Sequence, residues 1–411
     1  MRYTGLLLFI FLSTSCYAQE TTDTLDLSEV VSNMFGKKGA EKKSSSGFAL
    51  LPGIGYNPTF GLMLGVTITS GKYLGNPTTT QLSTATLTTY VTTNGILNFQ
   101  FRHNVFTKNN TWNLQGNAQI TKMVLIDYGL GPATGKQGKE GMSINQYTLE
   151  NTDDSYPIKF NYIKLFEKAY KKVSKTIMVG AGIAIDHHFD INDQKLNLDS
   201  GKLTPHYAYS IENGFDPVQY WTNGLLLNIQ YNTREHPNRS FGGTYVDLAL
   251  RVNPTFLGSS KNSTQIMTEF RKYISLSKKN PETVLAFWHL GTFNLGGLVP
   301  YLDMPGTGTD MYNRSGRAYT IGRFRGPSYF YLESEYRFPI TRNKFLSGVA
   351  FINMQSMTDA KDKALFSGWE PGAGGGLRIL FNRSTRTNIC IDYAVGLYGA
   401  KGLFFGLNEV F

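Results

Sequence analysis

Strand-length segments in which apolar and polar residues alternate recur along most of this chain. In the segment 316–340, one face carries Tyr329, Tyr331, Glu333, Glu335 and Arg337. The opposite face carries Phe330, Leu332, Ser334, Tyr336 and Phe338. No helical pattern is available to cover the apolar faces, and lipid would cover them in a transmembrane β-barrel. The alternation therefore predicts apolar residues toward lipid and polar residues toward an internal lumen.

About sixteen such segments follow one another from residue 47 to residue 411, each long enough for a tilted crossing of ~9–11 residues. They fall near 47–56, 60–72, 79–93, 95–107, 110–125, 157–169, 173–190, 218–233, 241–257, 261–278, 284–299, 327–341, 344–358, 370–382, 386–398 and 402–411. Short polar turns alternate with long connections at 127–155, 192–216 and 300–326, as in outer-membrane barrels. The predicted fold class is all-β: a transmembrane antiparallel β-barrel of about sixteen strands.

The first eighteen residues are typical of a secretory signal peptide. They combine a basic start, a short apolar core and small residues that end in Ala18, which predicts cleavage before Gln19. Lipidation at Cys16 is the alternative, although Ser13 stands where that signal prefers a bulky aliphatic residue. After cleavage Cys390 would be the remaining cysteine, so we expect no internal disulfide.

Residues 19–46 are predicted to form a short periplasmic leader. Apolar residues at helical spacing in 25–35 indicate a short amphipathic helix, and a polar linker follows to residue 46. The predicted organisation is a signal peptide at 1–18, this helical and linker segment at 19–46, and an outer-membrane barrel at 47–411.

Composition and charge exclude several functional classes. The formal charge of +10 comes from Lys and Arg residues spread over turns, as at 168–172, 278–279 and 342–344, so we expect no nucleic-acid partner. His187 and His188 are adjacent on a predicted strand and would face opposite sides, so they cannot share one simple metal site. We find no nucleophile motif, and we expect no enzyme activity, metal or cofactor.

Five segments, in chain order, carry a resemblance to a known family. They are LPGIGYNP at 51–58 with GLMLG at 61–65, NTREHP at 232–237, RAY at 317–319 with RFRG at 323–326, GGGLR at 374–378 and IDYA at 391–394. On these segments, residues 47–411 resemble the BamA/TamA outer-membrane assembly and secretion superfamily, also called the bacterial surface antigen family. More narrowly, they resemble its short Bacteroidetes-type members that lack polypeptide-transport-associated domains.

The arginine-rich segment occupies the position of that family's sixth loop, which carries an Arg-Gly-aromatic motif. Ala318 stands where the family has glycine, so either Arg317 or the pair Arg323 and Arg325 would supply the motif arginine. In the thirteenth strand Asn353 stands where the family usually has an aspartate, which leaves other lumen carboxylates as partners.

A sixteen-stranded barrel encloses an aqueous channel unless something fills it, and an inward-folded loop is one filler. We predict that Arg317, or Arg323 as the alternative, inserts into the lumen against Glu333 and Glu335 in bidentate hydrogen bonds. The predicted loop-latch residues are Arg317, Tyr319, Arg323, Arg325, Glu333, Glu335 and Asn353. The competing interpretation is a solvated outer loop whose arginines meet lipid phosphates.

The end of the chain resembles the signal by which outer-membrane barrels are recognised for assembly. Phe405, Leu407 and Phe411 carry this prediction, and together with Leu403 they are expected to share one strand face. Glu409 interrupts the apolar series.

The resemblance implies protein insertion into, or transport across, the bacterial outer membrane. Residues 19–46 are too short for a domain that receives unfolded clients, so we expect a translocation pore that works with a separate periplasmic partner protein. A passive diffusion channel and a structural or surface-interaction barrel are the alternatives. The expected partners are outer-membrane lipid, lipopolysaccharide and the barrel-assembly machinery that inserts the chain itself.

Overall fold

The computed structural model describes residues 47–57, 61–132, 143–144, 147–148, 156–311, 313–359, 364–383 and 385–411. The predicted signal peptide at 1–18, with its alternative at Cys16, and the predicted leader at 19–46 lie outside the described residues. Among the described residues, no helix is both long enough and apolar enough to cross a membrane.

Sixteen antiparallel strands form one continuous sheet, in which each strand pairs with its neighbours in the sequence. They are Gly47–Asn57 (β1), Gly61–Lys72 (β2), Ser83–Thr92 (β3), Leu97–Phe106 (β4), Trp112–Asp127 (β5), Tyr156–Lys172 (β6), Ile177–Asp193 (β7), Tyr220–Asn232 (β8), Gly243–Asn253 (β9), Ser263–Ser275 (β10), Val284–Gly297 (β11), Tyr329–Pro339 (β12), Leu346–Met357 (β13), Glu370–Asn382 (β14), Thr387–Gly396 (β15) and Lys401–Leu407 (β16). The predicted antiparallel barrel of about sixteen strands is confirmed, although the last strand ends at Leu407 instead of reaching residue 411.

The first and last strands lie beside each other, so the sheet curves into a barrel. Within the described residues, ladders of hydrogen bonds join every successive pair from β1 to β16, whereas no ladder joins β16 to β1. This contact between β1 and β16 is the seam of the barrel.

Burial follows a two-residue period along the strands, because successive side chains point to opposite faces. On β8 the buried positions include Thr222, Leu226, Asn228 and Gln230. The exposed positions on the same strand are Trp221, Leu225, Leu227, Ile229 and Tyr231. The mainly polar, buried face lines the lumen, and the apolar face is the one that lipid covers.

Long connections cluster at one end of the barrel, here called the long-loop end. The β7–β8 connection contains the helix Pro205–Glu212 (α1), which begins after Thr204, whose hydroxyl accepts a hydrogen bond from the Tyr207 amide at 3.3 Å. The Tyr209 hydroxyl of α1 donates to the Val299 carbonyl at 3.0 Å. The helix therefore packs on the β11–β12 connection. Two short strands, Ser143–Ile144 and Tyr147–Thr148, pair within the β5–β6 connection.

At the opposite, short-turn end, the β8–β9 turn (233–242) folds across the barrel instead of projecting away from it. Asn238 donates from Nδ2 to the Thr385 carbonyl at 3.0 Å, which joins it to the β14–β15 turn. Gln81 of the β2–β3 turn donates to the Arg234 carbonyl at 3.5 Å. The β8–β9 turn thus touches turns from both sides of the seam.

The lipid face and the lumen face of the sheet should respond differently when a charged side chain is introduced. Leu227 is 63% exposed on the lipid face near the middle of β8, so Leu227→Lys should lower the free energy of unfolding by about 2–4 kcal/mol. Thr88→Lys on the lumen face of β3 should cost clearly less, because Thr88 lines a cavity. Urea unfolding of both variants in lipid vesicles measures the difference, and equal losses would contradict the assignment of faces.

Candidate functional site

The β11–β12 connection, residues 298–328, folds back into the barrel lumen. Its two legs bond to each other, since the Thr307 amide donates to the Phe324 carbonyl at 2.9 Å and the Gly322 amide donates to the Thr307 carbonyl at 2.8 Å. Gly316 and Gly322 adopt φ values of +73° and +74°, which glycine tolerates without strain. Because many of its backbone groups bond within the connection, it can occupy the lumen without leaving them unpaired.

Arg317 lies at the centre of the inward connection and contacts three carboxylates. Its Nη2 donates to Glu333 Oε1 at 2.6 Å and also to Glu335, while its Nη1 donates to Asp392 Oδ2 at 2.8 Å. The guanidinium stacks on the Phe351 ring at 3.5 Å from the ring centre. Burial acts to lower the pKa of Arg317, but the three carboxylates outweigh burial and raise it above its ordinary value.

The strands position these carboxylates by register. Glu333 and Glu335 are two residues apart on β12 and therefore face the lumen together. Asp392 on β15 pairs with Gly376 on β14, where an added Cβ would lie 1.9 Å from Asp392 Oδ1. A glycine is required at this point of β14, because any side chain there would displace the aspartate from its place beside Arg317.

Two further arginines surround the same carboxylates. Arg337 donates from Nε to Glu335 Oε2 at 2.7 Å, and Arg378 donates from Nη1 to Asp392 Oδ1 at 2.5 Å. Arg378 also donates from Nε to Glu409 Oε2 at 2.8 Å. All of these side chains are buried, so their opposite charges compensate one another away from bulk water.

The segment after β16 turns into the lumen, which corrects the expectation that Phe411 shares a face with Leu403, Phe405 and Leu407. The strand ends at Leu407, and Asn408 adopts a φ of +66°, which breaks the alternation. Leu403 and Phe405 are exposed on the lipid face, whereas Phe411 is buried with its ring centre 5.3 Å from that of Trp288.

The inward C-terminal segment, Asn408–Phe411, is held by the inward connection and by the strands. Arg314 donates to the carbonyls of Leu407 at 2.5 Å and Val410 at 3.3 Å, and it also bonds the Glu409 carbonyl. Burial alone would raise the pKa of Glu409, but nearby guanidiniums, chiefly that of Arg378, hold it well below its ordinary value.

The other residues of the predicted latch lie around Arg317 without sharing its carboxylates. The Tyr319 hydroxyl donates to the Pro371 carbonyl at 2.5 Å, and the Asn353 side chain donates to the Arg317 carbonyl at 3.0 Å. Arg325 donates to the Tyr301 carbonyl at 3.0 Å, while Arg323 stacks 3.9 Å from the centre of the Tyr128 ring. Arg317 is therefore the arginine that the structure brings to Glu333 and Glu335.

Several members of this cluster were not predicted from the sequence. Asp392, Arg378, Glu409 and Arg314 were not among its candidate site residues, although each bonds a member of the network. The alternation of apolar and polar residues could have indicated that Asp392 and Arg378 face the lumen. Apolar residues flank Asp392 at 391 and 393, and they flank Arg378 at 377 and 379. Nothing local indicated that Glu409 and Arg314 lie near them.

A cavity of about 510 Å³ separates the inward connection from the wall formed by β2, β3 and β4. Hydroxyl and amide groups of Thr67, Thr69, Thr86, Thr88 and Gln100 line the wall side. Arg314, Ser315 and Ile321 line the side of the connection, and β16 borders the cavity at the seam. Ionic contacts therefore fill the β12–β15 side of the lumen, while an open space remains on the other side, with Arg102 and Arg314 among its lining residues.

This chain matches one known protein family and resembles several solved structures. A family model described as the Omp85 superfamily domain matches residues 172–402. The solved structure of BamA from Haemophilus ducreyi lacking POTRA domains 1–3 is similar, with a TM-score of 0.50 and 14% sequence identity, over 89% of this chain and 70% of that chain. No curated protein sequence matches the chain.

Two solved CdiB structures are also similar. CdiB from Acinetobacter baumannii gives a TM-score of 0.50 at 12% identity, over 89% of this chain and 60% of that chain. CdiB from Escherichia coli gives 0.56 at 8% identity, over 90% of this chain and 63% of that chain. The chain spans less than two thirds of either CdiB chain, and at these identities the likeness shows the fold alone.

Removing Arg317 should be far more costly than removing its neighbour Arg323. Arg317→Ala leaves three carboxylates without their shared cation, so the free energy of unfolding should fall by about 3–5 kcal/mol. Arg323→Ala removes contacts with aromatic faces and should cost about 1 kcal/mol. Denaturant unfolding of the refolded variants gives both values; a smaller loss for Arg317→Ala would refute the central place of Arg317.

The Glu409 ion pairs should make part of the stability dependent on pH. Because the folded state holds the pKa of Glu409 low, the unfolded state binds its proton first as pH falls, so this contribution is present above about pH 4.5 and declines below it. The stability gap between wild type and Glu409→Gln should therefore narrow on acidification from pH 7 to pH 3. A gap that stays constant over this range would rule out the contribution of the ionised carboxylate.

Proposed function

Since the chain belongs to the Omp85 superfamily, we propose that it inserts proteins into, or moves them across, the bacterial outer membrane in which it lies, and that Arg317 fixes its inward connection as a latch. The observation that carries the latch is the contact of one buried guanidinium with Glu333, Glu335 and Asp392. In this function the resting lumen is closed, and the inward connection moves when a client protein is inserted or transported.

The latch derives its strength from burial and from the number of charged partners. An exposed ion pair contributes only ~0–1 kcal/mol, whereas removing one member of a buried set leaves the others uncompensated at a cost of about 3–5 kcal/mol. Lysine could not replace the arginine, because one ammonium lacks the planar fork that reaches several carboxylates at once. The connection is thus seated in a definite position instead of moving freely at the barrel mouth.

The cavity beside the latch, within the described residues, is too small for a polypeptide to pass. At about 510 Å³, the cavity beside the latch falls within the size range of small-molecule pockets. Passage of a client would require the inward connection to move or the seam between β1 and β16 to part. Both routes lead to the same region, because the cavity borders the connection and β16.

The charge network also reaches the short-turn end, which the barrel would present to the periplasm. Arg239 of the β8–β9 turn lies 3.0 Å from Glu282 and 3.7 Å from Glu409. Glu409 in turn pairs with Arg378, which shares Asp392 with Arg317. A periplasmic partner that displaced the β8–β9 turn would disturb this chain of ion pairs, which supports a separate partner protein as the proposed source of the opening signal.

Single-channel recording of the refolded protein in planar bilayers tests the latch. The wild type should be mostly closed, and Arg317→Ala should convert it into a steadily conducting pore. Arg323→Ala is the matched control and should stay mostly closed, since Arg323 stacks on Tyr128, just after β5, and not on the carboxylates of the latch.

A reversible crosslink tests whether the connection must move. A Cβ added at Gly372 would lie 3.3 Å from the Ala318 Cβ, close to the ~3.5–4.5 Å found in disulfides. It would also lie 2.9 Å from the Arg317 carbonyl and from Asn353 Oδ1, so the reduced double variant is the control for any disturbance of the latch. Oxidised Ala318→Cys/Gly372→Cys protein should stay closed and fail to complement a deletion strain, and reduction should restore activity.

In the single-channel recordings, steady and equal conductance from the wild type and Arg317→Ala would instead favour a passive diffusion channel. Silence from both would favour a structural barrel.

A further inference from the structure

Exposed basic residues surround the short-turn end of the barrel. They lie at six of the seven short turns or at the strand ends beside them, and each is exposed: Lys72, Lys108, Lys171, Lys175, Lys278, Lys279, Arg342 and Arg383. We call these eight residues the basic ring. The exception is the β8–β9 turn, whose Arg234 and Arg239 are buried against the barrel.

Acidic residues do not offset this ring. In the sequence of the seven short turns, only Glu235 and Glu282 are acidic. Glu282 is buried, 3.0 Å from Arg239 and 3.1 Å from Lys344, and Glu235 pairs with Arg386 at 3.2 Å. Basic residues therefore outnumber acidic ones at this end, and the basic ring carries much of the +10 formal charge of the chain.

The long-loop end does not share this bias. Among the described residues, exposed acidic side chains lie toward that end together with exposed basic ones: Asp190, Asp199, Glu212 and Asp216 with Lys122, Lys159, Lys202 and Lys401. In the part of the chain that the structure describes, the two ends therefore differ in their balance of exposed charge, and the short-turn end suits a partner that carries negative charge all around the barrel.

Aromatic side chains fix the height of the basic ring relative to the membrane. Tyr73, Trp112, Tyr231 and Tyr336 are exposed at the short-turn end, as in the interfacial girdles of membrane barrels. The Lys171 ammonium lies 5.7 Å from the centre of the Trp112 ring. The basic side chains consequently stand at the level of the lipid headgroups, where long stems can bring their charges to phosphates.

We propose that the basic ring binds the headgroups of anionic phospholipids in the leaflet that faces the short-turn end. A phosphate accepts charge-assisted hydrogen bonds from ammonium and guanidinium groups, and attraction to an anionic surface grows with each basic side chain. The distribution of the ring favours lipid over a protein partner, because a single protein would need its contacts concentrated on one side. Lipid surrounds the barrel and reaches all six turns.

The test uses the full-length chain, purified from vesicles that contain phosphatidylglycerol and phosphatidylcholine, with native mass spectrometry to count retained lipids. The ring variant replaces six residues with glutamine: Lys72, Lys108, Lys175, Lys278, Lys279 and Arg342. The control variant makes the same change toward the long-loop end, at Lys122, Lys159, Lys195, Lys202, Lys261 and Lys401. Both lose six positive charges, and heat-modifiable migration on gels verifies that both are folded.

The ring variant should lose selectivity for phosphatidylglycerol by roughly fivefold, while the control keeps it within about twofold. High salt should abolish the selectivity of the wild type, since the Debye length falls to about 3 Å at 1 M. Equal losses in both variants would reduce the effect to overall charge and overturn the proposal. Unchanged lipid selectivity in the ring variant, with loss of an acidic protein that co-purifies from native membranes, would assign the surface to that protein instead.

Discussion

Compensation of charge inside the lumen is the constraint on which the rest of this structure depends. Glu333, Glu335 and Asp392 project into a space from which bulk water is excluded, and an unpaired carboxylate there would be costly. Arg317 supplies the shared cation, but only if the β11–β12 connection folds inward to deliver it. The position of the connection, the glycine at 376 and the neighbouring arginines all follow from this requirement.

Much of the fold could be predicted because alternation is a local signal. The two-residue alternation that places Glu333 and Glu335 on one face can be seen from the residues of a single strand. It recurs in almost all of the remaining strands. The candidate arginine was narrowed to Arg317 or Arg323 by the resemblance of this segment to the family's sixth loop, and only the structure distinguishes the two. The substitution of Asn353 for the family's aspartate also has a physical explanation, since its amide donates to the Arg317 carbonyl.

The rest could not be predicted because it depends on contacts between distant parts of the chain. Asp392 is 75 residues from Arg317, and Arg314 is 93 to 96 residues from the carbonyls that it binds. The inward turn of Phe411 depends on a left-handed residue at Asn408, which no apolar alternation reveals. A pattern that extends across a strand end therefore predicted the wrong face for the last aromatic residue.

The residues around Arg317 come from β12, β15 and the inward connection. Their assembly therefore imposes an order on folding. A chain in which only the strands up to β12 have formed holds two carboxylates and no complete site, because Asp392 arrives with β15, and β16 must follow before Glu409 can reach Arg378. Contacts this distant in sequence form late, after the entropy of closing long loops has been overcome. A nascent barrel would therefore keep its lumen hydrated until the final strands are added, and the expulsion of that water would mark the completion of assembly.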